Sequence, residues 1–172
     1  MFPKITYPLL DIENVLPILG KISLFGGLTE KQLYAVLHSL ERVSYKADEF
    51  IFRQGDAPSH IYIIQSGKVK MVAEEAGTPL ELMEMDVGHC FGETAVIGIQ
   101  HHSASTVATE PTELIVLSRR ALFSFAETDP ALFATMTLNI AREACRRLHA
   151  ADETLLHYFC RKPTDQTGMK KP

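Results

Sequence analysis

Phe50-Ile51-Phe52-Arg53-Gln54-Gly55-Asp56, followed by Ile61-Tyr62-Ile63-Ile64-Gln65-Ser66-Gly67-Lys68-Val69-Lys70-Met71-Val72, sets three short apolar runs between glycine turns. The third alternates polar with apolar residues, the period of a strand with one buried face. Working outward, the same texture continues. Further short apolar runs fall at residues 80–85, Ser105-Thr106-Val107-Ala108 and Leu114-Ile115-Val116-Leu117, and Gly77, Gly88, Gly92 and Gly98 punctuate the interval. Short strands at regular spacing with turn signals predict an antiparallel barrel or jelly roll. Ser66-Gly67 and Ala76-Gly77 read as hairpin turns.

On either side the pattern changes to helical. Residues 1–40 form an N-terminal helical segment. Asp11 caps a short helix carrying Ile12, Val15, Leu16 and Leu19, with Pro17 inside it. Leu24-Phe25-Gly26-Gly27-Leu28 is a turn with apolar anchors. Thr29-Glu30-Lys31-Gln32 reads as a capping box, and Leu33, Val36, Leu37 and Leu40 follow at helical spacing. Residues 41–118 make the barrel and residues 119–160 two C-terminal helices. The second begins at Asp129-Pro130, with proline at its first position. Phe133, Met136, Ile140, Ala144, Leu148, Ala151, Leu155 and Tyr158 step by three or four, one apolar stripe longer than a small barrel can cover. Glu143 and Arg147 form an i,i+4 pair. Residues 161–172 read as a disordered tail.

Bulk properties narrow the function. The chain has 172 residues, 46% of them hydrophobic, enough to bury a core in one domain. A net charge of −4 lacks the electrostatic footprint of a nucleic-acid binder. Arg142, Arg146 and Arg147 read as a solvated helix face, interrupted by Glu143 and Asp152. Cys90, Cys145 and Cys160 match no metal spacing and suit a reducing, cytoplasmic setting. No apolar run reaches the length of a membrane span, and the N-terminus lacks the features of a signal peptide.

The chemistry concentrates in Gly88-His89-Cys90-Phe91-Gly92-Glu93-Thr94-Ala95-Val96-Ile97. Phe91-Gly92-Glu93 ends a strand and enters a short helical turn. Gly92 permits close backbone approach, the amides at a helix start attract an anion, and Glu93 can accept hydrogen bonds from a sugar hydroxyl. Taken alone, the segment reads more readily as a turn with a solvated first-turn glutamate than as a binding site.

Together with the Gly55-Asp56 hairpin and the Ser66-Gly67-Lys68-Val69 stretch, this segment resembles the cyclic-nucleotide-binding family, to which protein kinase A regulatory subunits and the catabolite activator protein belong. The resemblance covers residues 24–148 and marks the chain as a standalone member. It implies an eight-stranded antiparallel jelly-roll barrel holding cAMP or cGMP in a regulatory, non-enzymatic module without cofactor or metal. It also implies a ligand site of Phe91, Gly92, Glu93, Thr94, Ala95, His102, Ser103 and Ala104. Glu93 would meet the ribose 2′-hydroxyl, and amides around Gly92, Thr94 and Ala95 would face sugar and phosphate.

One position departs from the family. An arginine nine or ten residues after the glutamate pairs with the cyclic phosphate, and here those positions hold His102 and Ser103. Loss of a bidentate charged pair should cost about 2–4 kcal/mol, or about 30- to 1000-fold in affinity. The expectation is therefore a sensor with weakened or altered affinity, signalling through the last helix to a separate output protein and dimerising along its apolar stripe. One alternative is a degenerate member that serves as a dimerisation or protein-interaction domain. Another is a small-barrel metalloenzyme using His89, Glu93, His101 and His102, although adjacent histidines on a strand point to opposite faces.

Overall fold

The computed structural model describes residues 7–8, 19, 22–75 and 77–161. The helix expected from Asp11 through Pro17, Ala76 of the second turn and the tail beyond residue 161 lie outside them; Leu19 is described and fully buried.

Ser23–Phe25 forms a single 3-10 turn that plants Leu24 and Phe25 in the core. Helix α1 (Glu30–Leu37) starts where the sequence places it. The Thr29 hydroxyl accepts from the Gln32 amide, and the Gln32 side chain accepts from the Thr29 amide, a complete capping box.

The described residues form nine strands: β1 (Tyr7–Pro8), β2 (Leu40–Tyr45), β3 (Phe50–Phe52), β4 (His60–Ser66), β5 (Val69–Glu75), β6 (Thr78–Met85), β7 (Cys90–Phe91), β8 (Ser105–Ala108) and β9 (Thr112–Ser118). They form two antiparallel sheets, ordered β1-β2-β9-β4-β7 and β3-β8-β5-β6. Strands β2–β9 are the eight of a jelly roll, with the Tyr7–Pro8 pair added at one edge. The expected barrel is not closed. The sheets end at β1 and β7, and at β3 and β6, and their edges do not hydrogen-bond to each other. The reason lies partly at Ser66-Gly67. This turn is no hairpin, because β4 pairs with β7 and β9 whereas β5 pairs with β6 and β8. The chain changes sheet there. Gly67 has φ +83, and a Cβ on it would stand 2.5 Å from the Pro111 carbonyl and the Thr112 hydroxyl. The second turn does close a hairpin, with Glu75 facing Thr78 across β5 and β6.

Two cores result. Between the sheets lie Val43, Phe52, Tyr62, Ile64, Val69, Phe91, Leu114 and Val116. Between the five-stranded sheet and the helices lie Leu24, Val36, Leu37, Ile61, Ile63, Ile115 and Leu117. Strands β4 and β9 are buried on both faces, which is why each reads as an unbroken apolar run.

Helix α2 (Glu93–Gly98) is short. Helix α3 (Arg119–Thr128) is capped by the Ser118 hydroxyl, which accepts from the Ala121 amide. Helix α4 (Pro130–Arg161) opens with proline as expected, and the Asp129 carboxylate accepts from the Leu132 amide. Its first turns bury Leu132, Met136 and Ile140 in the helical core. Asn139 donates to the Leu24 and Gly26 carbonyls, tying α4 to the N-terminal turn. Residues 148–160 are all exposed. Among the described residues no helix is long and apolar enough to cross a membrane.

Candidate functional site

Strand β7 delivers the chain to the site. Phe91 pairs with Tyr62 across β4 and stacks on its ring at 5.2 Å, fully buried. It therefore supports the site from the inter-sheet core and does not line the cleft. At Gly92 the backbone turns into α2 with φ +83. A Cβ there would lie 3.0 Å from both the His60 carbonyl and the Tyr62 ring, so conformation and space both demand glycine.

Thr94 and Ala95 follow on α2, and together with Gly92 they form one wall of a cleft of about 50 Å³. His102, Ser103 and Ala104, just before β8, form the facing wall. Six of the eight residues singled out from the sequence thus share one cavity. The second wall is fixed by the Gly55-Asp56 turn. The Gly55 amide donates to the His102 carbonyl at 2.8 Å, and the His102 amide donates to the Asp56 carbonyl at 3.0 Å. The Asp56 carboxylate in turn accepts from the Arg53 amide, and the Ser105 hydroxyl accepts from the Gln54 amide.

The His102 ring stacks on Phe52 with centroids 3.7 Å apart and 13° between planes. Its residue exposure is 5%. Burial lowers its pKa, with His101 acting the same way and Asp56 opposing them. Protonation of His102 thus comes at a lower pH than for a free imidazole, so at neutral pH it supplies no positive charge. Ser103 is exposed at the cleft, and Ala104 is buried.

Glu93 sits beneath the cleft, 2% exposed. Arg147, from α4, brings Nη1 to 2.7 Å from the Glu93 Oε1. The contact is a charge pair without hydrogen-bond alignment, and neither buried carboxylate oxygen has an aligned side-chain or ordered donor. Burial raises the Glu93 pKa; Arg147 pulls it down and Glu143 pushes it up, leaving it above the ordinary value. The Arg147 Nη2 donates to the Cys90 carbonyl at 2.6 Å, and its Nε lies 3.3 Å from Glu143. Glu143 is also paired with Arg146. Burial raises its pKa, but hydrogen bonds and charge from Arg146 and Arg147 outweigh this and hold it low.

Arg147 lines the cleft, which the sequence reading missed by assigning it to the solvated helix face. A signal was present. Met136, Ile140, Glu143 and Arg147 step by four, three and four, so Arg147 continues the row that faces the domain. Phe52, Met71, Gln100 and His101 also line the cavity. The histidines considered for metal are dispersed: His89 pairs with Asp86, and among the described residues no three His, Cys, Asp or Glu side chains converge.

Residues 42–129, just over half of the chain, match the family model described as "Cyclic nucleotide-binding domain". The chain belongs to the cyclic nucleotide-binding domain family. It is 32% identical over 130 residues to the cyclic AMP receptor protein of Thermus thermophilus, covering 75% of this chain and 58% of that protein. This cyclic nucleotide-binding domain superimposes on one from Methylobacillus flagellatus with a TM-score of 0.76 at 24% identity, covering 86% of this chain and 83% of that one. The regulatory domain of Toxoplasma gondii protein kinase A, solved with cAMP, is 26% identical with a TM-score of 0.62, over 65% of this chain and 43% of that one. The chain spans 58% of the Thermus protein and 15% of the cGMP-dependent kinase egl-4 of Caenorhabditis briggsae. The shared part is a regulatory domain, without the remainder of either relative.

Proposed function

We propose that this domain is a cytoplasmic sensor that binds cAMP or cGMP and reports occupancy through α4 to a separate output protein, without catalysing a reaction. The observation that carries this reading is the cleft that brings Gly92, Thr94 and Ala95 together with His102, Ser103 and Ala104, with the Glu93 carboxylate buried next to them in the chain. The Glu93 carboxylate is paired in charge with Arg147 and has no side-chain donor aligned on it, which leaves it able to accept from a hydroxyl. A ribose 2′-hydroxyl supplies one, and the open amides at the start of α2 suit the sugar and phosphate. The wall of residues 102–104 contributes less affinity than one with a cassette arginine, because neutral His102 and the Ser103 hydroxyl stand at positions where that wall would carry a permanent charge. The three free cysteines are consistent with a reducing compartment.

Calorimetric titration with cAMP and cGMP tests the reading. The wild-type domain should bind one of them, and Glu93→Ala should weaken that binding at least about tenfold while remaining folded, since it removes the hydroxyl acceptor. Equal affinity in the variant would sink the assignment of Glu93, and absence of binding to either nucleotide would sink the sensor reading itself.

A further inference from the structure

The phosphate has no arginine on the strand wall of the cleft. Among the described residues lining it, Arg147 is the one permanently charged cation. Arg53, the nearest basic residue in sequence to the Gly55-Asp56 turn, instead lies over the Phe50 ring at 3.7 Å. Arg147 reaches the cleft from the opposite side, on α4, and is held there by the Cys90 carbonyl at one end of its fork.

A guanidinium carries five N–H donors. Here Nε is directed at Glu143, one Nη2 hydrogen at Cys90, and Nη1 lies against Glu93. Two donors remain. Glu143 keeps Arg146 as a second partner, so its charge does not depend on Arg147. Glu93 does depend on it, being buried with Arg147 as its one cationic partner among the described residues.

Resting on the cyclic-nucleotide reading above, we infer that Arg147 pairs with the ligand phosphate in place of the absent cassette arginine. The exchange is matched in polarity. A ribose hydroxyl brings Glu93 an aligned donor beside its charge pair with Arg147, and the phosphate brings Arg147 an acceptor for its unused donors. The Nη2 bond to Cys90 is retained and orients the fork. The phosphate contact thus moves from a sheet to a helix, and the same residue that reads the ligand anchors α4.

The test compares each cyclic nucleotide with its uncharged nucleoside, cAMP with adenosine and cGMP with guanosine, by calorimetry or competition in the full chain. In wild type the cyclic nucleotide should bind more tightly than its nucleoside. Arg147→Gln should reduce that ratio about 10- to 100-fold, the range for a charge-assisted pair. Arg147→Lys, which keeps the charge but loses the fork, should retain part of the ratio and guards against a glutamine variant that fails to fold. Adding Ser103→Arg or His102→Arg to Arg147→Gln should restore the ratio. A ratio unchanged in Arg147→Gln, or cyclic nucleotide and nucleoside weakened equally, overturns the inference while leaving the sensor reading intact. Wild type that binds neither cyclic nucleotide overturns both.

Discussion

His102 shows how one side chain serves shape and charge differently. Its ring covers Phe52 and its backbone clips the cleft wall to the Gly55-Asp56 turn. Because burial holds its pKa below the ordinary 6.5, the unfolded chain takes a proton in a pH range where the folded chain does not. Stability is therefore complete above about pH 6.5 and is lost as pH falls from there toward the folded value. His60, also lowered by burial, acts in the same direction. Glu93 acts in the opposite one, since its raised pKa favours the folded state as pH drops. The His102 share is isolated by His102→Phe, which keeps the stack and removes the titration. The drop in melting temperature between about pH 7.5 and 5.5 should be smaller in the variant; an identical drop would show that His102 does not titrate as its surroundings demand. At this scale the sequence revealed one half of the site and hid the other. Phe91-Gly92-Glu93 is contiguous and carries a glycine that only a special backbone requires. Arg147 lies 54 positions from Glu93 (147 − 93). A charged residue on an amphipathic helix looks solvated until the partner facing it is known, and no local periodicity names that partner.

Among the elements, legibility followed burial. Strands β4 and β9 were plain because both faces are covered and each carries an unbroken run of four apolar residues, Ile61–Ile64 and Leu114–Leu117. Strand β2 was obscured, since Leu40-Glu41-Arg42-Val43-Ser44-Tyr45 buries only its first, fourth and sixth residues and mixes its two cores. Strand β7, two residues long, exists only through its pairing with β4. Sheet membership also stayed hidden at Ser66-Gly67, where a turn between strands looks alike whether the chain reverses within a sheet or leaves it. Helix α2 carries a local conflict. Its C-cap Ile99 has φ 52 and ψ 44 and is 64% exposed, a β-branched residue in the left-handed region with little burial to offset the strain. That conformation costs about 1–2 kcal/mol, of which glycine forfeits about 0.5–1 through its greater unfolded freedom. Ile99→Gly should thus stabilise the domain by about 0.5–1 kcal/mol, read as a higher urea midpoint at unchanged slope. A lower midpoint would mean that the exposed side chain contributes contacts that outweigh the strain.

For the whole molecule, the two cores divide the labour. The inter-sheet core fixes the cleft walls, and the helical core fixes α4 against the five-stranded sheet. Beyond Arg147, α4 leaves the domain. Leu138, Cys145, Leu148, Leu155, Leu156 and Phe159 are exposed on it, the large ones by half or more. A row of this kind is what a parallel pair of helices buries, and we expect two copies of the chain to associate along it. Sedimentation should give a dimer. Removal of residues 150–172 should shift it toward monomer without lowering the monomer's melting temperature, because residues 150–160 are all exposed and belong to neither core. A monomer at high concentration in the intact chain would end this reading. The same geometry has a mechanical side. Residues 148–160 extend about 20 Å past Arg147 at 1.5 Å per residue. With the helix pinned to the cleft at one guanidinium, that guanidinium acts as a fulcrum. A tilt of about 10° there, small enough to follow from one exchanged partner, would swing the far tip by about 3.5 Å over a rise of 1.5 Å per residue. Under the proposed signalling through α4, arm length sets the output as much as affinity does, and shortening the arm would mute the signal even with the cleft fully occupied.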